Sequence, residues 1–487
     1  MFTFAKKIAT LKKLLGETII YGIGAILPRV ITFLLNPFYI HFISAESFAV
    51  FTNLYAWIAY INIILTFGFE TSFFRFSADE NEREKTFNTS FWFVFGVAAT
   101  FLLMVVLFNN PIAILMQYGN HPEFILWLAI IAFLDAICMI PFAWLRFHNK
   151  PIIYSAIRVS SILVQTLVVL VLFLFIPKDT ALKLGLKDQV AYPFISNLLG
   201  SLAALLMLLP IILKVKFQFS KPLFIKMLKY SWPIMIAGFA FQINENWDKL
   251  VQIYTIPQVD AGAYGGCYKL AVLMTLFVTA YRMGIEPFFF KQMNNENAKQ
   301  TYAKVTEYFT LFASVAALGI IANLEWLKRL FITDSSFWIA IDIVPIIVIA
   351  NLFFGIYYNL STWYKVTDKT YYGLIISWIG AALTIVLHFL FLEKYGFMVS
   401  AWVTFVAYFI MMILSYFLGQ QHYPIPYKVK KISIFLILLM AFSYISVEVL
   451  DSHIVWSNVL LTIYISFIFY SERELIKNTF MKKRAKN

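Results

Sequence analysis

Charged side chains are scarce in this sequence, in which 13% of the 487 residues are charged and 61% are hydrophobic. A water-soluble protein has too little buried volume to hide so many apolar side chains. The composition therefore excludes a soluble globular protein. It indicates a chain that lies for most of its length inside a lipid bilayer.

Cysteine and histidine are also rare. The two cysteines, Cys138 and Cys267, lie in apolar stretches, where a free thiol is an ordinary small packing residue, so we expect no disulfide, no metal site and no cofactor. The six histidines are dispersed along the chain, and no GxxxxGKS/T phosphate-binding loop occurs. All loops are short and offer no place for catalytic chemistry. We therefore expect a protein that is not an enzyme.

Long apolar runs make up most of the chain. A helix needs about 20 apolar residues to cross the hydrocarbon core, and we identify about 14 such segments, the first at residues 15–38 and the seventh at residues 232–254. Most Lys and Arg residues fall in every second loop, which accounts for the net charge of +13 without nucleic acid as a partner. By the positive-inside rule those loops and both termini are cytoplasmic. The sequence thus predicts an all-α, multi-pass membrane protein.

One sequence segment occurs twice. The segment GFETSFFRF at residues 68–76 returns as GIEPFFFK at residues 284–291, with Gly68, Glu70 and the two phenylalanines matched by Gly284, Glu286 and a second phenylalanine pair. An acid, an aromatic pair and a base rarely occupy matching positions of two segments by chance. The repeat indicates one six-helix half that is built twice in parallel.

The repeat and the charge pattern together predict a division into five parts. Between the halves lies a basic segment with interleaved apolar residues, typical of an amphipathic linker on the membrane surface. The last two predicted helices have no counterpart in the first half. The predicted parts are a first six-helix lobe (1–213), the linker (214–231), a second six-helix lobe (232–427), helices 13 and 14 (428–471) and a basic cytoplasmic tail (472–487).

Several charged side chains lie inside or at the ends of the predicted spans and are candidates for function. An ionisable group at the centre of a span costs roughly 3 kcal/mol, so each of them must face water or a partner. The candidate substrate-binding cations are Arg29, Lys249, Lys269 and Arg282, and the candidate gate or coupling acids are Glu70, Asp135, Glu245, Asp248 and Glu286.

These charges also have simpler explanations. Lys249 follows Glu245 by four residues and Glu286 follows Arg282 by four, so each pair could be a salt bridge on one helix face. Glu70 and Lys269 could be interfacial, and Arg158 could extend to the membrane surface. Arg29 is the hardest to explain in this way, because it lies near the middle of the first span and no acid stands three or four residues away.

Three segments resemble a known family. They are NPFYIHF with FAVFTNLYAWIAYINIILTFGFETSFFRF, then NLSTWYKVTDKTYYG at residues 359–373, then SYFLGQQHYPIPY at residues 415–427. They resemble bacterial polysaccharide biosynthesis proteins of the oligosaccharide flippase type, within the multidrug/oligosaccharidyl-lipid/polysaccharide exporter superfamily. The resemblance implies two lobes that enclose a cationic cavity and alternate between inward-open and outward-open states in the cytoplasmic (inner) membrane. Helices 13 and 14 could form a groove for a lipid tail, as in related lipid II flippases.

The implied cargo is an undecaprenyl-diphosphate-linked oligosaccharide for O-antigen, capsule or exopolysaccharide synthesis, and membrane lipids and the polysaccharide assembly machinery are implied partners. Coupling to the membrane potential, H⁺ or Na⁺ is expected. Arginine suits an anionic diphosphate, which it can bind through two hydrogen bonds. A multidrug cation antiporter of the same superfamily is the alternative, and a membrane-embedded glycan polymerase or ligase is a weaker one.

Overall fold

A computed structural model describes residues 22, 24, 26–183, 185, 186 and 188–473. Within these ranges every regular element is a helix and no strand occurs, which confirms the predicted all-α fold. Residues 1–21 of the predicted first lobe and residues 474–487 of the predicted basic tail lie outside the described residues.

The chain divides into two compact units, Met1–Tyr254 and Thr255–Asn487. Membrane-length helices of the first unit surround a core in which Phe69, Phe73 and Phe91 are almost fully buried. Its described helices are α1 (Ile26–Phe42), α2 (Ala45–Thr66), α3 (Phe69–Phe76), α4 (Arg83–Leu107), α5 (Asn109–Leu115), α6 (Pro122–Phe147), α7 (Pro151–Leu174), α8 (Lys178–Lys183), α9 (Ala191–Ile212) and α10 (Lys221–Thr255).

The second unit is built in the same way, and Phe337 and Phe353 are among its most deeply buried side chains. Pro257 directly precedes α11, and Gly396, whose φ is +68°, directly follows α16. Its helices are α11 (Gln258–Gln292), α12 (Ala298–Ala322), α13 (Leu324–Phe331), α14 (Ile343–Leu360), α15 (Thr362–Val366), α16 (Tyr371–Tyr395), α17 (Met398–His422), α18 (Val429–Tyr444, continued by a π-helix to Val449) and α19 (Ile454–Ser471).

Twelve helices in the described part of the chain are long and apolar enough to span a membrane. Two of the predicted spans are not among the twelve. The described part of the first span, α1, is a shorter apolar helix. The seventh span lies in α10, which carries the polar run Gln242, Asn244, Glu245, Asn246 and Asp248. The predicted count of 14 therefore stays a prediction.

Helix α10 packs against α2 in the first unit. The buried amide of Asn53 donates hydrogen bonds to the backbone oxygens of Lys249 and Leu250, at 3.1 and 2.8 Å. The Tyr60 hydroxyl donates to the backbone oxygen of Gln242 at 3.1 Å. Side chains of α2 thus form hydrogen bonds with backbone oxygens in and just after the polar run of α10. The compact first unit accordingly extends to Tyr254. The lobe boundaries expected from the repeat fall one helix earlier and stay a prediction.

Helices α18 and α19 are attached to α12 by a buried ionic cluster. The carboxylate of Glu307 on α12 is 5% exposed and lies 2.8 Å from Lys431 Nζ and 3.2 Å from Lys428 Nζ. Lys431 also pairs with Glu472, the residue that follows α19. At the other end of α19, the amide of Asn458 donates to that of Asn323 at 3.1 Å. The two added helices are therefore fixed to the second unit at both ends.

The repeated segment folds differently in the two halves. Gly68 stands between α2 and α3 with φ at +69°, and Phe67 before it has φ at +50°, so the helix is broken there. Gly284 lies inside the continuous helix α11. A Cβ at position 68 would lie 3.0 Å from the backbone oxygen of Ser231, whereas a Cβ at position 284 would meet nothing within 4 Å. Only the first copy therefore requires glycine.

This asymmetry predicts opposite results for a matched pair of substitutions. We expect Gly68→Ala to lower the free energy of unfolding by about 1–2 kcal/mol, because a Cβ disfavours the left-handed backbone. Gly284→Ala is expected to be neutral or stabilising by up to about 1 kcal/mol, since alanine is the better helix former. Thermal melting of the two variants in one detergent measures the difference, and equal melting temperatures would contradict the prediction.

Candidate functional site

The two acids of the repeat make equivalent ion pairs. Glu70 on α3 accepts a hydrogen bond from Arg146 at the end of α6, at 2.6 Å. Glu286 on α11 lies 3.2 Å from Lys365 Nζ on α15, which continues α14. In each half, the acid thus forms an ion pair with a base on the second membrane span that follows it along the chain. The sequence indicated the acids but assigned both bases to loops.

Arg282 and Lys365 both contact the ring of Tyr358 in the second unit. The Arg282 guanidinium carbon lies 4.8 Å from the ring centroid, and Lys365 Nζ lies 3.9 Å from it. The Tyr281 hydroxyl donates to the Asn359 side-chain oxygen beside this cluster. Glu286 pairs with Lys365 rather than with Arg282, so the salt bridge considered within α11 is not observed. Arg282 is exposed and makes no ion pair with any residue that the structure describes.

A polar pocket of about 400 Å³ lies inside the first unit. It is lined mainly by α6, α7 and α9, and also by Asn62 and Thr66 of α2 and Glu70 of α3. Asp135 faces it and accepts a hydrogen bond from the Ser201 hydroxyl at 2.7 Å. Arg158 lines the same pocket and stacks on Phe142, with 4.0 Å between its guanidinium carbon and the ring centroid. The pocket therefore holds two acids and one base. Among the described contacts Arg158 makes no direct ion pair with either acid, and Glu70 pairs with Arg146.

Arg158 is exposed and also lines the pocket, whereas the sequence favoured extension to the membrane surface over a lining role. Arg158, Ser161 and Gln165 stand three and four residues apart on α7 and all line the pocket. Such spacing places polar side chains on one face of a helix. This polar stripe in an otherwise apolar segment was the signal that could have identified Arg158.

Two predicted residues on α10 are paired with each other. Lys249 Nζ lies 3.1 Å from the Asp248 carboxylate, and the two side chains are 11% and 6% exposed. Lys249 also donates to the backbone oxygen of Glu245 at 3.1 Å. Glu245 itself is partly buried. Lys249 is therefore a neutralised cation held inside the first unit.

The remaining two predicted cations lie on α1 and α11. Arg29 on α1 is exposed, follows Pro28 of the polar pocket, and makes no ion pair with the residues that the structure describes. Lys269 on α11 is partly buried. Arg29 in the first unit and Arg282 in the second are thus predicted cations that make no ion pair with the described residues. Each is able to bind an anion such as a phosphate.

The chain resembles solved transporter structures over nearly its whole length. It matches the lipid II flippase MurJ in an inward closed conformation with a TM-score of 0.71 and 16% identity, covering 94% of this chain and 100% of MurJ. It matches an inward-facing multidrug resistance MATE family transporter of the MOP superfamily with a TM-score of 0.63 and 13% identity, covering 83% of this chain and 97% of that one. At these identities the likeness shows a shared fold.

A third structure gives a similar result. The Vibrio cholerae MATE transporter VcmN in the bent form matches with a TM-score of 0.56 and 13% identity, covering 84% of this chain and 96% of VcmN. Comparison with curated protein sequences finds no significant match.

The family comparison confirms the resemblance seen in the sequence motifs. The model of the family described as "Polysaccharide biosynthesis protein" matches residues 14–293, more than half of the 487 residues. This chain therefore belongs to the polysaccharide biosynthesis protein family and has the fold of MOP-superfamily transporters.

Proposed function

We propose that this protein is a flippase that moves a polyprenyl-diphosphate-linked oligosaccharide from the cytoplasmic to the outer leaflet of a bacterial inner membrane by alternating access. Its product would serve the synthesis of a surface polysaccharide such as O-antigen, capsule or exopolysaccharide. The observation that carries the proposal is a pair of exposed arginines, Arg29 and Arg282, that make no ion pair with the described residues of a polysaccharide biosynthesis protein.

The charge balance of the predicted site residues favours an anionic cargo. Glu70, Glu286 and Asp248 are each neutralised by a base, at 2.6, 3.2 and 3.1 Å. Arg29 and Arg282 make no ion pair with the described residues. A multidrug cation antiporter would need acids left over to bind the cargo, and Asp135, which accepts from Ser201 and makes no direct ion pair with Arg158, is one such acid. Two arginines against this one acid favour an anionic cargo, so the antiporter is the less well supported alternative.

The membrane potential would assist the outward step. A diphosphate diester carries about two negative charges, and moving one charge through 100 mV is worth roughly 2.3 kcal/mol, so an inside-negative potential contributes roughly 4–5 kcal/mol. Exchange of H⁺ or Na⁺ could add to this, and Asp135 in the polar pocket is the acid best placed for it. Both sources of energy belong to the proposal and need separate measurement.

Transport by the purified protein is the direct test. Proteoliposomes would contain a fluorescent polyprenyl-diphosphate oligosaccharide, and a membrane-impermeant quencher would report how much of it reaches the far leaflet. We expect flipping that accelerates under an inside-negative potential, and no glycosyl transfer. Efflux of cationic dyes without movement of the lipid would support the antiporter, and glycosyl transfer would support an enzyme.

Arg29→Ala is expected to abolish flipping while protein amount and melting temperature stay normal. A guanidinium can offset the desolvation of a diphosphate through paired hydrogen bonds, so Arg29→Lys should restore only part of the rate. Arg329→Ala is the control, because Arg329 is an exposed arginine paired with Glu325 at 2.8 Å on the short helix α13. Normal flipping by Arg29→Ala would remove Arg29 from the binding site.

A further inference from the structure

An apolar groove of about 550 Å³ runs along one face of α4 in the first unit. The α4 residues that line it recur every three or four positions from Trp92 to Met104. Ile64 and Leu65 of α2 form its second wall, and Phe219 of the linker closes one end. Thr100 is the polar side chain among the α4 residues of the groove. The walls belong to two helices that are long and apolar enough to span a membrane, so we expect the groove to face hydrocarbon.

The linker is fixed at one end of this groove by three side chains of α4. The Asn88 side-chain oxygen accepts from the Lys216 backbone N–H at 3.0 Å, and Trp92 Nε1 donates to the Lys216 backbone oxygen at 2.9 Å. The Thr89 hydroxyl accepts from the Ser220 backbone N–H at 3.2 Å. Positions 88, 89 and 92 share one helix face. The linker therefore has a defined position against α4.

The linker end of the groove carries positive charge next to exposed apolar rings. Phe217 is 89% exposed and Phe219 is 50% exposed. Lys216 is neutralised by Glu84 at 2.6 Å. Lys221, two residues after Phe219, is exposed and makes no ion pair with the described residues. Exposed rings beside lysines are typical of a segment that lies at the boundary between headgroups and acyl chains.

The dimensions of the groove fit one leaflet. From Trp92 to Met104 the helix rises about 18 Å at 1.5 Å per residue. Half of a hydrocarbon core of about 30 Å is about 15 Å. One acyl chain that starts at the linker would therefore fill the groove to the middle of the membrane.

We propose that this groove binds one anionic phospholipid, with an acyl chain along α4 and its phosphate beside Lys221. The apolar walls bind the acyl chain, and Lys221 of the linker favours a negatively charged headgroup. Such a lipid would hold the connection between the two repeats against the first unit. The site is separate from the proposed cargo-binding arginines, so it stands whether or not the proposed transport is correct.

Lipid retention by three variants tests the site. The full-length protein would be purified from bilayers with equal amounts of phosphatidylglycerol and phosphatidylcholine of the same acyl chains, and native mass spectrometry would count the retained lipids. We expect one retained phosphatidylglycerol on the wild type. Gly96→Phe should lose it, because Gly96 lines the groove and a Cβ there meets nothing within 4 Å. The substitution fills the groove without opposing the helix, since Phe is a better helix former than Gly.

The matched variants separate the two halves of the proposal. Gly319→Phe on α12 adds the same ring where a Cβ also meets nothing within 4 Å, and it should leave the retained lipid in place. Lys221→Gln should keep a lipid but reduce the preference for phosphatidylglycerol over phosphatidylcholine about five-fold, the contribution of one lysine near a membrane surface. A single symmetric peak in size-exclusion chromatography verifies the fold of each variant.

Three results would overturn the proposal. Undiminished phosphatidylglycerol on Gly96→Phe would place the lipid elsewhere. An unchanged lipid preference in Lys221→Gln would remove the headgroup contact. Replacement of the phospholipid by an added polyprenyl phosphate at equal concentration would assign the groove to an isoprenoid chain instead.

Discussion

Replacing Arg282 with alanine is expected to slow flipping of a diphosphate-linked lipid by about 10- to 100-fold, the effect of losing one or two hydrogen bonds to a charged group. Arg282 lies over Tyr358 at 4.8 Å and has no ion pair with the described residues, so its removal leaves no buried partner uncompensated. Stability should therefore stay within about 0.5 kcal/mol of the wild type. Initial flipping rates in proteoliposomes measure the loss.

Lys299→Ala is the matched control for Arg282→Ala. Lys299 Nζ lies 4.4 Å from the ring centroid of Tyr423, so this variant also removes a cation from a tyrosine ring in the second unit. We expect it to flip the lipid at the wild-type rate. If both variants were slowed equally, the loss would reflect general packing, and Arg282 would have no specific part in binding the cargo.

Replacing Glu307 with glutamine is expected to lower the free energy of unfolding by about 3 kcal/mol. The carboxylate is 5% exposed and holds Lys431 and Lys428, and breaking a buried ion pair by removing one partner costs about 3–5 kcal/mol. The figure is taken at the low end because Lys431 keeps Glu472 as a partner and Lys428 is 61% exposed and screened by solvent. Thermal melting together with proteolysis at the start of α18 would measure the effect.

Glu325→Gln provides the comparison for Glu307→Gln. Glu325 on α13 also has two basic partners, Lys328 and Arg329, but its side chain is 31% exposed. We expect a loss below about 1 kcal/mol there, as for other ion pairs near the surface. Equal losses in the two variants would show that burial does not determine the strength of the Glu307 cluster.

The sequence predicted those features that depend on local pattern. Apolar length indicated the helices, and two glutamates at one offset indicated the repeat, which the structure expresses as the equivalent ion pairs of Glu70 and Glu286. The family followed from short motifs and is confirmed by the match over residues 14–293. These features can be predicted from residues that are neighbours along the chain or from a comparison of two sequence segments.

The features that were missed depend on contacts between distant segments. Arg146 and Lys365 stand near predicted loops, and only the packing of the helices brings them to Glu70 and Glu286. Likewise, helix spacing alone could not show that Glu286 pairs with Lys365 instead of Arg282. The predicted roles of Glu70, Asp135, Glu245, Asp248 and Glu286 as gate or coupling acids stay predictions.

The cysteines described at the outset as simple packing residues make the protein a reporter of its own unfolding. Cys138 is buried in the first unit and Cys267 in the second, and neither forms a disulfide. A thiol-reactive dye applied to a variant that keeps only one of them would detect the opening of one unit at a time. The order in which the two units lose structure on heating can thus be followed through two native side chains, without the introduction of a new cysteine.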